Sequence, residues 1–352
     1  MCKSNEVVEQ EPQLAAGEFV CVDDIDFCDR EFEESRRLEF QAGFRRRAPR
    51  WVARNVLLFG IMHSMALVGL YHAVVNAKWY TLALAQVCWT MGILGITTGA
   101  HRLWSHRSFK AETPFRVMLM LFQTAAGQNS LYEWVRDHRC HHKWTDTDAD
   151  PHNASRGLFF AHIGWLLQRK DKAVIEKGRQ IDMSDLLSDP VIVFQKKFYF
   201  PLWILLCILL PTAIPVYFWG EDPSVAYFVV LARYVLSLHE TWTINSLAHS
   251  HGDKPYDGRI RATDSPLMAM VTYGEGGHNY HHTFPSDYRT SEFNYCFNAG
   301  KILIDLGATI GQVYDRKVVG EEFIQRRIAA NETMFGKSEY YAEFASSWKK
   351  TS

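Results

Sequence analysis

Residues 51–100 read WVARNVLLFGIMHSMALVGLYHAVVNAKWYTLALAQVCWTMGILGITTGA. Trp51 to Val75 and Trp79 to Ala100 are apolar runs separated only by Asn76, Ala77 and Lys78. Each is long enough to cross a hydrocarbon core, for which about 20 helical residues suffice. The pattern repeats downstream: Phe198 to Gly220 and Val225 to about Leu247 flank the short acidic turn Glu221, Asp222, Pro223. Four such segments predict an all-α integral membrane protein with four transmembrane helices. Phe115 to Ala126 is apolar for too short a stretch and contains Arg116, so it is expected at the interface or buried, not spanning.

The flanking charges give an orientation. Arg45, Arg46, Arg47, Arg50 and Arg54 crowd the entry to the first span, whereas the two short turns carry only Lys78 as a cation. Basic residues collect on the cytosolic side, so both turns are expected in the lumen, with both termini and residues 101–197 and 248–330 forming a cytosolic cap. Residues 1–35 hold eleven acidic and two basic residues, the composition of a solvated, disordered tail. They show no basic start followed by an apolar run, so no signal peptide is expected. A single domain over 36–330 and a C-terminal tail over 331–352 complete the expected organisation.

Composition narrows the function classes. With 38 Lys+Arg against 39 Asp+Glu the net charge is −1, which provides no basic field for nucleic acid. The 7 cysteines are odd in number and lack a C-x-x-C pair, as expected of reduced thiols and not of a disulfide framework.

Histidine carries the functional signal. Of 15 histidines, eight fall in three clusters: His101 and His106; His138, His141 and His142; His278, His281 and His282. In the second and third, the i, i+3 and i+4 spacings put imidazoles on one helical face, where they can ligate one or two metal ions. Imidazole suits Zn, Cu, Fe and Ni alike. Eight ligands exceed the four positions of one zinc site, so two metals with positions left for oxygen or water are expected. An imidazole-rich pair, unlike the carboxylate-rich soluble di-iron bundles, suits reduction of O2 to a strong oxidant.

The runs GAHRLWSH (99–106), RDHRCHH (136–142) with TDTDADPH (145–152), and GEGGHNYHHTFP (274–285) closely resemble the three histidine boxes of membrane acyl-CoA desaturases. The likeness extends from about Trp51 to Arg327. Histidine boxes also occur in membrane hydroxylases and sterol oxidases; the TDTDADPH word makes the desaturase likeness specific. The resemblance implies a ninth ligand, His249 in NSLAH (245–249), and Asn245 reaching one metal through water. It implies two Fe2+ ions, although zinc can replace them in overproduced protein because it stands above iron in the Irving–Williams order. His251 departs from the family pattern and is left out of the ligand set. His63, His72 and His239 are expected to be buried polar partners, and His152 and His162 to stand behind the ligands.

The resemblance also implies the reaction. A saturated long-chain acyl-CoA, palmitoyl-CoA or stearoyl-CoA, gains a cis double bond at the ninth carbon, in unsaturated fatty acid biosynthesis at the endoplasmic reticulum. An unactivated methylene offers no acidic proton to a side-chain base, so the metals with O2 must cleave the C–H bonds. Asn55, Asn129, Arg136, Asp137, Arg169, Lys170 and Trp242 stand at the family's acyl-CoA contact positions, and Gln128, Trp134 and Thr241 where the acyl tunnel bends. Ile93 and Trp89 lie eight and twelve residues before His101, about 12 and 18 Å back along a helix. They are expected to close the tunnel and favour a sixteen-carbon chain. No haem-binding HPGG word occurs, so electrons are expected from separate cytochrome b5 and its NADH-dependent reductase, docking on a basic rim of Arg102, Arg107, Lys110, Arg139 and Lys143. The sequons at Asn153 and Asn331 are expected to stay unmodified on the cytosolic side. The rival readings are a membrane fatty acyl or sterol hydroxylase and, in another class, a non-catalytic metal-binding receptor or transporter.

Overall fold

The computed structural model describes residues 19–21, 49–292 and 297–338. Most of the expected N-terminal tail and of the C-terminal tail therefore lies outside the described residues. Within the former, Phe19–Cys21 is an extended strand paired in parallel with Arg316–Val318.

The long apolar segments form helices. Helix α1 (Ala53–Val75) turns at Asn76 into α2 (Trp79–Leu94), which continues as a π-helix over Gly95–Ser105. Helix α3 (Thr113–Ala126) packs on this π-helical stretch, and α4 (Leu131–Lys143) follows, its N-terminus capped by the Ser130 hydroxyl. Helix α5 (Pro190–Trp203) runs through a further π-helical segment, Ile204–Leu209, into α6 (Leu210–Trp219). Helix α7 (Pro223–Ser246), capped by Asp222, then lies against α1. Short α8 (His278–Thr283), α9 (Ala299–Thr309) and α10 (Glu321–Phe335) complete the chain.

Among the described residues, three helices are long and apolar enough to cross a membrane: Ala53–Val75, Trp79–Ser105 and Pro190–Trp219. The second outruns its expected end because a π-helical stretch carries it on to Ser105, and the third begins before its expected start, at Pro190. Phe198, the expected start of the third span, is instead an internal kink with φ −110°. The segment expected as a fourth span forms helix α7 but is not among these three, since Arg233, His239 and Glu240 interrupt its apolar run. It differs from α1 in burial too. Leu57, Leu67 and Val74 on α1 are exposed, whereas most of α7 is packed inside the bundle, with Arg233 donating to the Cys207 carbonyl at 2.7 Å. Gly69 permits this packing: a Cβ there would sit 2.0 Å from the Phe228 carbonyl oxygen of α7.

The two short turns meet at one end of the bundle. Lys78 donates from Nζ to the carbonyls of Trp219 and Gly220, at 2.8 and 2.6 Å, and its backbone N–H reaches Glu221 at 2.8 Å. Entry to α1 is pinned elsewhere: Val52 N–H donates to Leu167 and Arg169 N–H to Arg50, both at 2.9 Å. The main core gathers Phe109, Leu119, Leu131, Val135, Ile192 and Ile304 beside the histidine-bearing segments.

Candidate metal centre and acyl cavity

The first histidine pair shows how local structure builds the site. On an α-helix, residues five apart are rotated by about 140° and diverge. Within Gly95–Ser105 the wider π turn lets His101 and His106 share a face, and His106 N–H donates to the His101 carbonyl at 3.1 Å. Ser105 turns its hydroxyl back to Ala100 O at 2.6 Å, supporting the widened turn. The second and third clusters lie on α4 and α8, where i, i+3 and i+4 spacing suffices. His249 comes from the 3-10 turn Leu247–His249 that ends α7.

These nine imidazoles fall into two groups, His101, His106, His138, His142 and His281 in one, and His141, His249, His278 and His282 in the other; within each, one nitrogen per ring lies within 4.8 Å of all the rest. The nitrogens face one another: His101 Nε2 and His281 Nε2 are 2.8 Å apart, His106 and His138 2.8 Å, His142 and His281 3.0 Å, and His249 and His278 2.9 Å.

Their charge state follows from the surroundings. Burial, reinforced by neighbouring imidazoles, holds His106, His138, His142, His278, His281 and His282 well below the usual histidine value. They are therefore neutral at pH 7, each with one lone pair to offer. In other rings of the nine a carboxylate on the far side fixes which nitrogen is free, by taking the opposite N–H. His141 Nδ1 donates to Asp150 at 2.9 Å and His101 Nδ1 lies 3.2 Å from Glu275, whereas Asp146 stands 3.6 Å from His249 Nδ1, near enough for charge but not hydrogen-bonded. Burial alone would raise the Asp150 carboxyl, but His141 beside it, with His152 and the Asp146 N–H, brings it down to about 2. Where two neutral rings 2.8 to 3.2 Å apart both present an Nε2 lone pair, they repel one another unless a cation lies between them. The donor set thus fits two metal ions, ringed by imidazole with negative charge one residue further out.

The other histidines have different surroundings. His152 joins His141 around Asp150, its Nδ1 3.4 Å from that carboxylate. His63, His239 and His162 form a separate chain, His239 lying 3.0 Å from His63 and 2.9 Å from His162. His72 contacts Asn76 at 3.0 Å. His251 is exposed, 2.8 Å from the Ser250 hydroxyl and outside both groups. Cys140, amid the second cluster, donates to Ala149 O, and burial pushes its thiol up to about 12, so it supplies no thiolate ligand. Reasoning from the sequence misses the carboxylates Asp146, Asp150 and Glu275; the signal that could have found them is their place inside the words that carry the histidines.

Arg102 corrects the expected docking rim. It is fully buried and donates to Glu275 at 2.6 Å, Thr290 at 2.6 Å and Asn298 at 3.2 Å. The neighbour of a histidine on a π turn need not face solvent, and this guanidinium neutralises the carboxylate that holds His101. Of the remaining rim, Arg107 and Arg139 pair with Asp185, and Lys110 with Asp315.

Three cavities connect the surface to the metal centre and onward into the bundle. The outermost, about 910 Å³, is lined by Asn129, Arg136, Asp137, Lys170 and Arg179. It shares Asn129 and Asp137 with a second of about 200 Å³ that holds Gln128, Trp134, Thr241 and Trp242. That one shares Trp134, His138, Thr241 and Asn245 with a third of about 60 Å³, which ends beside Ile93 and Glu240. At the bend Gln128 donates to Thr241 at 2.7 Å, and Trp134 stacks on His138. Asn245 lines both inner cavities beside the histidines. Two expected contacts lie apart: Asn55 donates to the Leu166 carbonyl at 2.8 Å, and Arg169 lines none of the three. Trp89 does not line the innermost cavity but donates its indole N–H to Glu240, which does.

Comparison with known proteins agrees with this architecture. Residues 77–293 match the family model described as fatty acid desaturase. A Delta(9)-fatty-acid desaturase of Caenorhabditis elegans is 53% identical over 84% of this chain and 86% of its own length. Stearoyl-CoA desaturase 5 of Bos taurus is 48% identical over 79% and 83%, and an acyl-CoA Delta(11) desaturase of Choristoneura rosaceana is 48% identical over 78% and 82%. With two apposed groups of imidazoles beside an apolar cavity, and likeness across most of its length, the chain belongs to the fatty acid desaturase family.

Proposed function

We propose that this protein is an acyl-CoA desaturase that inserts a cis double bond at the ninth carbon of a saturated long-chain acyl-CoA. Per turnover, the acyl chain loses two hydrogens and O2 accepts them with two electrons and two protons, leaving two waters. The observation that carries the reading is the pair of imidazole groups, of which His101, His138 and His278 line an apolar cavity. The names of relatives at about half identity supply the substrate class and bond position.

Two Fe2+ ions would be held, one by His101, His106, His138, His142 and His281 and the other by His141, His249, His278 and His282, and Asn245 would reach the second through water. When bound they supply the redox chemistry with O2. The protein's own part is positional. Arg136 and Lys170, with Asp137 and Asn129, meet the CoA moiety at the mouth, where guanidinium and ammonium suit phosphate. Both cations are engaged by Asp137, Arg136 at 2.9 Å, so binding phosphate exchanges that carboxylate for the ligand. Trp242, Gln128, Thr241 and Trp134 bend the chain past the histidines, so that one methylene pair rests near the metals and the cis geometry is set by the cavity's curve. Asn55 acts indirectly, by holding the carbonyl of Leu166 in the wall of the second cavity, and Arg169 stands outside the cavity walls. Ile93 and Trp89 close the far end and favour sixteen carbons.

The protein spans the endoplasmic reticulum membrane four times, α7 being the span that its packed interior relieves of full apolarity. The histidine centre faces the cytosol, where cytochrome b5 and its NADH-dependent reductase deliver electrons to the rim of Arg107, Lys110, Arg139 and Lys143.

The test is turnover of iron-loaded protein with palmitoyl-CoA and stearoyl-CoA, NADH, cytochrome b5 and its reductase, with double-bond position read by mass spectrometry. A cis alkene at the ninth carbon, absent in His281→Ala, is expected. Unsaturation at the eleventh carbon moves the position, hydroxylated chains replace the assignment with a hydroxylase, and no product with two irons bound overturns it.

A further inference from the structure

Glu240 is out of place in an apolar cavity. It sits on α7, 7% exposed, and lines the inner cavity together with Ile93, Ile96, Thr241 and Ile244. One carboxyl oxygen, Oε2, accepts the indole N–H of Trp89. The other, Oε1, is buried and has no hydrogen-bond partner. A buried oxygen left unpaired is costly, and the cost disappears when a ligand brings a donor to it. Along α7, Glu240 lies about 7.5 Å, five residues at 1.5 Å each, from Asn245 at the histidine centre. Thus a chain lying past the metals meets the carboxyl with its distal half. A methyl terminus arriving there covers the oxygen without satisfying it; a hydroxyl terminus completes its hydrogen bonding, since a hydroxyl both donates and accepts.

Resting on the acyl-CoA reading above, we propose that Glu240 makes the far end of the acyl cavity a hydrogen-bond-accepting subsite, so that the enzyme takes acyl chains bearing a hydroxyl at or near their distal end in preference to unsubstituted chains of equal length. Trp89 is then a positioning residue: its indole N–H holds one carboxyl oxygen and turns the other into the cavity.

The experiment compares full-length, metal-loaded protein with two series of probes, saturated acyl-CoAs of fourteen to eighteen carbons and their ω-hydroxy counterparts. Two readouts are taken: kcat/KM for unsaturated product, and the thermal shift each probe produces without reductant. At the length that places the hydroxyl beside Glu240, the ω-hydroxy probe is expected to exceed its parent by about tenfold in the wild type. Glu240→Leu should abolish or invert that preference, and Trp89→Phe, which leaves the carboxyl unanchored, should reduce it. Wild-type protein that binds and turns over every hydroxylated chain less well than its parent overturns the proposal, whether or not the variants fold. A preference that persists undiminished in a folded Glu240→Leu protein overturns it equally. Failure of the desaturase reading itself is distinct, because no probe of either series would then yield an alkene.

Discussion

Asp150 shows how much one residue can do behind a metal centre. Its carboxylate accepts from His141 Nδ1 at 2.9 Å, from His152 N–H at 3.0 Å and from Asp146 N–H at 3.0 Å, and it is almost completely buried. One group thus fixes the His141 tautomer and folds the loop that carries Asp146 and His152. Asp150→Asn keeps the shape but turns an obligatory acceptor into one that must also place two N–H donors. Removing such an outer partner typically costs 10–100-fold in metal affinity. The expected result is a drop of about that size in affinity for one metal of the two, measured by competition with a chelator, with the five-histidine group retaining its own. The histidines were legible in the sequence because their spacing is local. Asp150 and Glu275 acquire their meaning only from rings on other segments, which no local pattern encodes.

At the scale of the element, the π-helical run Gly95–Ser105 decides the geometry. Periodicity on the sequence reads an α-helix straight through 79–100 and leaves His101 and His106 on diverging faces. The structure resolves this by widening the helix where Gly95 touches α3. A Cβ at Gly95 would lie 2.1 Å from the Gln123 backbone nitrogen, a contact that requires two backbones to separate. Gly95→Ala is expected to destabilise the protein by about 1–3 kcal/mol, the usual range for overpacking, or more because backbone is involved. It should also weaken the five-histidine group more than the other. Thermal unfolding and metal content of the purified protein, measured side by side, check both; unchanged stability would mean that α2 and α3 part easily. Helix α7 makes the complementary case. Its length was legible, but hydropathy understates it, because Arg233 and Glu240 find partners in the bundle and not in lipid.

For the whole molecule, the meeting of the two short turns at one end fixes which loops share a side. Lys78 and Glu221 bind the turns together, while the histidine segments and the opening lined by Arg136 and Lys170 belong to the long connections. In sealed microsomes, single cysteines introduced at Asn76 or Asp222 are expected to resist an impermeant maleimide until the vesicles are opened, and one at Lys172 to react at once. Glycan on Asn153 or Asn331 would reverse the orientation. The helical architecture was thus readable from apolar runs, whereas the burial of Arg102 was not, since its partners Glu275, Thr290 and Asn298 lie far along the chain. That separation has a consequence for biosynthesis. When Arg102 first leaves the ribosome at the end of its span, the carboxylate destined to neutralise it has not yet been translated, nor have the last three histidines. Metal insertion must therefore follow synthesis of nearly the entire polypeptide, and a chain stalled before Glu275 would present an unpaired guanidinium and a half-built ligand set, a ready mark for quality control to recognise.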